Sequence, residues 1–245
     1  MSVVTIAFAN VQSGVATTKG HWQYALTGWK YWLPHSLWPL RQAGDMLRRE
    51  AVDLACLVEV SEKSWATGYH SQTEIVAERA GLPEKAFFGA PRSSIRPWEG
   101  KAILARWPIH GARTHLFKGG ILPRYLAEAT VAVDGKDISI FVAHLPLGRR
   151  ARQRQIGEIV SVLKDRRGPV ILAGDFNERR PGELAPLVRL TPLRHDLHVA
   201  NYPSWKPRYV LDRIFLSAEF SVIDCQIPKG PAFSDHAPML IHAQV

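Results

Sequence analysis

The strongest constraint on the fold is a series of short apolar stretches rich in β-branched residues, some of them separated by segments with helical spacing. Short apolar runs of this kind predict β-strands, and apolar residues three and four positions apart predict amphipathic helices. The predicted strands cover residues 3–9, 53–60, 101–105, 125–133, 138–143, 169–173, 211–216 and 238–243. The predicted helices cover residues 37–49, 73–80, 152–164 and 183–189.

These elements predict mixed β-sheets with helices on their outer faces. Asp134-Gly135 is typical of a tight hairpin between antiparallel strands, whereas other strands are joined through predicted helices. The 245 residues, 46% of them hydrophobic, suffice for a sizeable core. Because no Pro-rich or Ser/Gly-rich linker divides the chain, we expect one α/β domain over residues 1–245 rather than two small ones.

Polar residues interrupt the apolar runs at the ends of the predicted strands. They are Asn10, Glu59, His144, Asp175, Asn177, Asp212, Asp235 and His236. Each of them alone has an ordinary structural explanation, such as a turn former or a helix cap. The strand ends of an α/β sheet can aim such side chains into one crevice, and the whole set therefore predicts an active site.

Five short motifs contain most of these residues in a fixed order. They are Val-Glu-Val at 58–60, Ala-His-Leu at 143–145, Gly-Asp-Phe-Asn at 174–177, Leu-Asp-Arg-Ile-Phe at 211–215 and Ser-Asp-His at 234–236. Together they resemble the signature of the endonuclease/exonuclease/phosphatase superfamily, which includes exonuclease III, pancreatic deoxyribonuclease, neutral sphingomyelinases and inositol polyphosphate 5-phosphatases. The resemblance implies a four-layer αββα sandwich of two mixed β-sheets between helices, with the active site at one end.

The resemblance also implies a divalent cation, Mg²⁺ or Mn²⁺, as cofactor. Hard cations of this kind prefer oxygen ligands and keep water molecules in their remaining positions. Glu59 is the first predicted ligand, and Asn10 and Asp235 resemble the family positions that complete or support the metal site. The sequence has no Cys/His cluster with zinc spacing, and we assign no chemistry to Cys56 or Cys225.

By the same resemblance, the remaining residues divide the tasks of phosphoester hydrolysis. His236 pairs with Asp212, whose carboxylate would orient the imidazole and favour its protonated form. Asp175 would position or deprotonate the attacking water, and Asn177 and His144 would donate hydrogen bonds to the phosphoryl oxygens. Either Asp175 or His236 can be the general base, because both assignments use the same residues.

The formal net charge of +9 and the pI of about 9.8 favour an anionic partner. Candidate substrate-binding residues are Lys101, Arg124, Arg208, Trp22 and Trp29. Lys101 is either a phosphate contact or a solvated lysine on an edge strand. The aromatic segment 22–38 predicts base stacking, a satellite core under a loop, or contact with a membrane interface. The arginines at 149–154 indicate mainly a solvated helix face.

The leading prediction is a metal-dependent phosphodiesterase that acts on nucleic acid. The first alternative is a lipid or small-molecule phosphoesterase with the same machinery, for example one acting on inositol phosphates. The second is a catalytically silent binding module, which a damaged set of site residues would indicate. The amino terminus does not resemble a secretory signal, and no apolar stretch reaches the roughly eighteen residues of a membrane span. We therefore expect a cytoplasmic location without stable membrane insertion, and the sequence implies no obligate protein partner.

Overall fold

The computed structural model describes residues 2–89, 100–118 and 124–245. Its strands are β1 (Val3–Asn10), β2 (Leu54–Val60), β3 (Glu84–Phe88), β4 (Gly100–Ala105), β5 (Ile109–Leu116), β6 (Tyr125–Val133), β7 (Lys136–His144), β8 (Val170–Asp175), β9 (Leu193–Leu197), β10 (Asp212–Ser217), β11 (Ser221–Gln226) and β12 (Met239–Gln244). Its α-helices are α1 (Gln23–Thr27), α2 (Trp38–Arg49), α3 (Gln72–Ala80), α4 (Arg149–Leu163) and α5 (Ala185–Leu190).

The strands form two sheets of six strands each, in the orders β11-β12-β1-β2-β4-β3 and β5-β6-β7-β8-β10-β9. Both sheets are mixed. The pairs β1–β2 and β7–β8 are parallel, and the other neighbouring strands are antiparallel.

The side chains of each central strand alternate between two apolar layers, because successive residues of a strand point to opposite faces. In β1, Ile6 and Phe8 lie in the core between the two sheets, whereas Ala7 and Ala9 lie in the core under α2 and α3. In β8, Ile171 belongs to the core between the sheets, and the flanking residues pack with α4 and α5. The order of layers is helix, sheet, sheet, helix, which confirms the predicted sandwich.

The eight predicted strands and four predicted helices all form, with shifts of a few residues at their ends. The prediction missed the short helix α1 and the strands β3, β5, β9 and β11. All four missed strands are the edge strands of their sheets. An edge strand is paired on one side only and tolerates polar residues, so the alternation that reveals a half-buried strand is weak there.

The ends of the central strands meet at one rim of the sandwich. Asn10, His144 and Asp175 are the last residues of β1, β7 and β8, and Asp212 is the first residue of the antiparallel β10. None of the helices in the described part of the chain is long and apolar enough to cross a membrane.

Candidate active site

Strand register places three predicted residues side by side in the second sheet. Asp175 on β8 is paired with His144 on the parallel β7 and with Asp212 on the antiparallel β10. Gly174, directly before Asp175, allows this close packing. A Cβ at this position would lie 2.5 Å from the carbonyl oxygen of Ala143, so no other residue fits without displacing the backbone.

Asn10 joins the two sheets at the rim. It is buried at the end of β1, and its Nδ2 donates a hydrogen bond of 3.0 Å to Oε1 of Glu59 and one of 3.4 Å to Oδ2 of Asp175. Its Oδ1 accepts a hydrogen bond from the backbone N–H of Gln12. The side-chain amide is therefore held on both its donor and its acceptor side.

Glu59 is aimed into the site by a backbone irregularity. The pairing of β2 with β4 shifts between Val58 and Val60, and the intervening Glu59 has a φ of 56°. A residue with a Cβ rarely adopts this left-handed conformation, and strained backbone of this kind is concentrated at functional sites. The irregularity turns the carboxylate of Glu59 toward Asn10 and the second sheet.

Burial raises the pKa of two carboxyl groups at the rim. The pKa of Glu59 rises to about 7 because the side chain is mostly withdrawn from solvent and lies near the negative charge of Asp235. The pKa of Asp175 rises to about 8, first because of burial and then because of the charges of Asp212 and Glu59, against the opposing charge of His236. The negative charges of the site therefore exceed its positive charges when all of its carboxylates are ionised.

Asp212 and His236 form a buried pair. Nδ1 of His236 lies 2.9 Å and 3.0 Å from the two carboxylate oxygens of Asp212. Nε2 of His236 points toward Asp175, whose Oδ2 is 3.9 Å away. Burial would lower the pKa of His236, but the charge and hydrogen bond of Asp212, with the charges of Asp175 and Asp235, raise it well above its usual value. Burial also raises the pKa of Asp212, against the effect of His236.

His144 has the opposite protonation preference. Its Nε2 lies 3.6 Å from Oδ2 of Asp175 and 4.0 Å from Oε1 of Glu59. Burial lowers its pKa well below the usual value, and the charges of Arg124 and Lys101 add to the effect. Its Nδ1 is buried without a hydrogen-bond partner among the described residues. The ring is therefore neutral near pH 7.

Asn177 and Asp235 complete the set at the rim. The backbone N–H of Asn177 donates to Oδ1 of Asp175 over 3.0 Å, and its Nδ2 donates to the carbonyl of Leu145, also over 3.0 Å. Asn177 has a φ of 50°, a conformation that asparagine tolerates better than most residues. Asp235 accepts a hydrogen bond of 2.7 Å from the hydroxyl of Tyr24.

Two of the five predicted substrate-binding residues, Arg124 and Lys101, lie close to this centre. Nη1 of Arg124 donates to the carbonyl of His144 over 2.7 Å. Lys101 is buried on β4, between β2 and β3, with its Nζ 3.4 Å from the centroid of the Tyr125 ring. The alternative of a solvated lysine on an edge strand is therefore wrong, and a phosphate contact by Lys101 stays a prediction.

The other three candidates lie on the surface. Arg208 lines a cavity beside the rim. Trp22 and Trp29 are 63% and 49% exposed, and Trp32 and Trp38 are also largely exposed. A packed satellite core thus does not describe the tryptophans of segment 22–38. In the arginine run, Arg152 is instead fully buried against Glu183, as a structural ion pair.

Sequence reasoning missed two tyrosines at the centre. The hydroxyls of Tyr24 and Tyr202 lie 3.1 Å apart, and the Tyr202 ring centroid lies 4.8 Å from that of His236. Tyr24 is part of the aromatic segment that the sequence singled out as a whole. Tyr202 has no local signal, because only the fold places it against His236.

The donor set fits a hard divalent cation. Carboxylate and amide oxygens are the ligands that Mg²⁺ and Mn²⁺ prefer, and a cation would offset the neighbouring negative charges that, after burial, raise the pKa values of Glu59 and Asp175. Ligand atoms of Asp175, Asp212 and His236 also lie within 4.8 Å of one another. In that trio Nδ1 of His236 and the carboxylate of Asp212 are already engaged with each other.

Comparison with known proteins identifies the family of this fold and site. The model of the Endonuclease/Exonuclease/phosphatase family matches residues 8–236, a stretch that includes all eight rim residues. The chain belongs to this family. Its fold is that of a phosphoester hydrolase.

One relative and two solved structures are similar to this chain. The uncharacterized protein YbhP of Escherichia coli K12 is 27% identical over 223 residues, which cover 82% of this chain and 86% of YbhP. TDP2 of D. rerio, crystallised with a single-strand DNA product, has a TM-score of 0.70 and 18% identity, with both chains covered completely. The mannosyl-6-phosphatase Bt3783 of Bacteroides thetaiotaomicron has a TM-score of 0.68 and 18% identity, covering 99% of this chain and 100% of that one.

Proposed function

We propose that the protein is a divalent-metal-dependent phosphodiesterase that cleaves nucleic acid. The observation that carries this proposal is the hydrogen-bonded rim, where Asn10 links Glu59 of one sheet to Asp175 of the other beside the Asp212–His236 pair. Family membership supports phosphoester hydrolysis in general. The choice of nucleic acid is the finer part of the proposal and depends on charge and surface features.

Glu59, Asn10 and Asp235 are the proposed ligands of the cation, either directly or through water. When bound, Mg²⁺ or Mn²⁺ would supply electrostatic stabilisation of the phosphoryl oxygens. The hydrogen bond from Asn10 positions the carboxylate of Glu59 for this role. Asp235 is held in turn by the hydroxyl of Tyr24.

The Asp212–His236 pair and Asp175 have different proposed roles in the reaction. His236 is held as an imidazolium by the carboxylate of Asp212, so it stabilises the negative charge that develops on the phosphoryl group. Because the imidazolium of His236 has no free site for a further proton, Asp175 is the better general base of the two that the sequence left open. Asp175 accepts the proton of the attacking water in its ionised form, which a nearby cation would favour against the raised pKa of about 8.

Asn177 and His144 are the proposed donors to the phosphoryl oxygens. Nδ2 of Asn177 uses one hydrogen on the carbonyl of Leu145, and an amide nitrogen carries a second. The neutral ring of His144 can present an N–H at Nε2 without adding a charge, because a neutral imidazole carries one proton on either nitrogen.

Three features support nucleic acid as the substrate. The net charge of +9 and the pI of about 9.8 attract a polyanion. The exposed rings of Trp22 and Trp29 can stack on bases. A solved structure with this fold, TDP2 of D. rerio, holds a single-strand DNA product.

A lipid or small phosphate ester is the second candidate. The exposed tryptophans suit a membrane interface as well as they suit bases, and the mannosyl-6-phosphatase Bt3783 shares the fold. A silent binding module ranks behind both, because all eight residues of the predicted constellation are present and lie at one rim.

A hydrolysis panel in Mg²⁺ and in Mn²⁺ separates these functions. It covers single-stranded and duplex DNA, RNA, abasic DNA, sphingomyelin, inositol phosphates and mannose 6-phosphate, with His236→Ala as the blank. We expect the largest kcat/KM on a nucleic acid, and a steep fall of binding with salt, since each phosphate contact releases counterions. Rapid cleavage of a lipid or a sugar phosphate with a flat salt response would reject nucleic acid and keep the phosphoesterase.

A further inference from the structure

A cavity of about 580 Å³ opens directly beside the catalytic pair. Its wall includes Tyr202, whose ring lies against that of His236, and Leu211, which precedes Asp212 in the chain. It also includes Glu178, which follows Asn177. The cavity therefore lies next to the rim, with the Tyr202 ring between it and His236.

The cavity is lined by four arginines, of which one is neutralised. Arg213 pairs with Glu178 and with Asp196. Arg179, Arg180 and Arg208 are exposed, and none of them makes an ion pair or a side-chain hydrogen bond within residues 2–89, 100–118 and 124–245. After the pair of Arg213 and Glu178 is subtracted, three positive charges face one concave surface.

Several other arginines of the described chain share a carboxylate in pairs. Arg113 and Arg166 both contact the buried carboxylate of Glu128. Arg149 and Arg152 both contact Glu183. Three guanidinium groups around one cavity repel each other unless an anion lies between them, and arginine is the residue best suited to bind phosphate oxygens in pairs.

We propose that this cavity binds a phosphate group next to the scissile one, through Arg179, Arg180 and Arg208. The inference rests on the proposed function and narrows its substrate to esters with at least two phosphates along one backbone. Tyr209, which is 60% exposed on the cavity wall, offers a face for the base of the same nucleotide. Arg179 and Arg180 had no role in the sequence prediction, which named only Arg208.

The test compares substrates that differ in their number of phosphates. Bis(4-nitrophenyl) phosphate has one phosphate, and thymidine oligonucleotides of two to six residues have one to five internal phosphates. The variants are Arg208→Ala and the double variant Arg179→Ala/Arg180→Ala, assayed in Mg²⁺. The matched control is Arg167→Ala, which removes an exposed arginine shortly before β8, at the strand end opposite Asp175.

For the wild type and the control we expect kcat/KM to rise when a second phosphate is added. In the cavity variants this gain should shrink about tenfold, the usual effect of losing a charge-assisted hydrogen bond. The slope of log Kd against log salt, measured with an oligonucleotide, should also fall by roughly one per arginine.

Two results would overturn the inference in distinguishable ways. Equal losses on one-phosphate and two-phosphate substrates, or losses no larger than those of Arg167→Ala, would reject the cavity while nucleic acid cleavage stands. A wild type that cleaves bis(4-nitrophenyl) phosphate but no oligonucleotide of any length would reject the proposed substrate and the cavity together.

Discussion

Two buried histidines at the rim have opposite protonation preferences. His236, before β12, has Asp212 within 2.9 Å, and its pKa lies well above the usual value. His144, at the end of β7, has no carboxylate oxygen closer than 3.6 Å among the described residues, and the charges of Arg124 and Lys101 act on it. Its pKa lies well below the usual value.

The comparison shows that burial alone does not decide the charge of a histidine. Both rings are almost completely buried, so both lose hydration of the charged form. The difference comes from their neighbours on the strands, because β10 places a carboxylate against His236. In contrast, Arg124 and Lys101 place cations near His144. One rim thus holds a cationic imidazolium and a neutral donor at the same pH.

The largest expected effect is that of His236→Ala. This change removes the positively charged imidazolium from the rim. We expect kcat on the best substrate to fall by at least about a hundredfold, which is the lower end of the range for a general acid or base. Circular dichroism should show an intact fold. The matched control is His110→Ala, on the edge strand β5, which should keep near-normal kcat. Near-normal turnover of His236→Ala would remove this residue from the mechanism.

Asp212→Asn tests why the two histidines differ, because it removes the carboxylate charge that His236 has at hydrogen-bond distance and His144 lacks. The pKa of His236 should fall, as followed by the ring proton shifts in NMR, and kcat should fall by about tenfold or more. The double variant with His236→Ala should lose little beyond His236→Ala alone, since the carboxylate acts through the imidazole. Strictly additive losses would separate the two residues mechanistically.

The smallest expected effect is on the pH dependence of stability. The folded pKa of His144 is depressed, so its neutral form contributes stability that is complete above the unfolded pKa of about 6.5 and is lost as the pH falls toward the folded pKa. His144→Gln should abolish this loss, worth on the order of 1 kcal/mol between pH 7 and 5. Urea unfolding with a chelator present measures it.

His236 should give the opposite sign in the same experiment. Its folded pKa is raised, so its contribution is complete below about pH 6.5 and is lost as the pH rises through the folded pKa. The stability difference between the wild type and His236→Gln should therefore shrink at alkaline pH. If both variants changed the pH profile in the same direction, the assignment of opposite charges would be wrong.

The sequence predicted the layers of the fold and the composition of the rim better than the surface around it. Residues such as Asp175 and His236 stand in ordered motifs at the ends of apolar runs, and such motifs are visible in one dimension. The edge strands β5 and β11 carry little hydrophobic signal, because one side of each has no neighbouring strand.

Contacts between distant residues could not be predicted in this way. Tyr202 approaches His236, and Arg179 shares a cavity with Arg208, only because β8, β10 and their loops lie side by side. One of the two interpretations of Lys101, a solvated lysine on an edge strand, was wrong for the same reason. The sequence did not reveal β3, which pairs with β4 and makes β4 an inner strand of its sheet. The partners of a side chain follow from topology, which local patterns do not encode.

We propose that Glu59 and its neighbours hold a divalent cation that the rim uses for phosphodiester hydrolysis. The most direct test of this role is the cleavage of a labelled oligonucleotide by wild type and Glu59→Gln, first in excess EDTA and then after a titration with Mg²⁺. We expect no cleavage in EDTA, full recovery of the wild type with Mg²⁺, and a Glu59→Gln enzyme that is slower by roughly two orders of magnitude or more and needs more metal. Full wild-type activity in excess EDTA would contradict a metal-dependent mechanism.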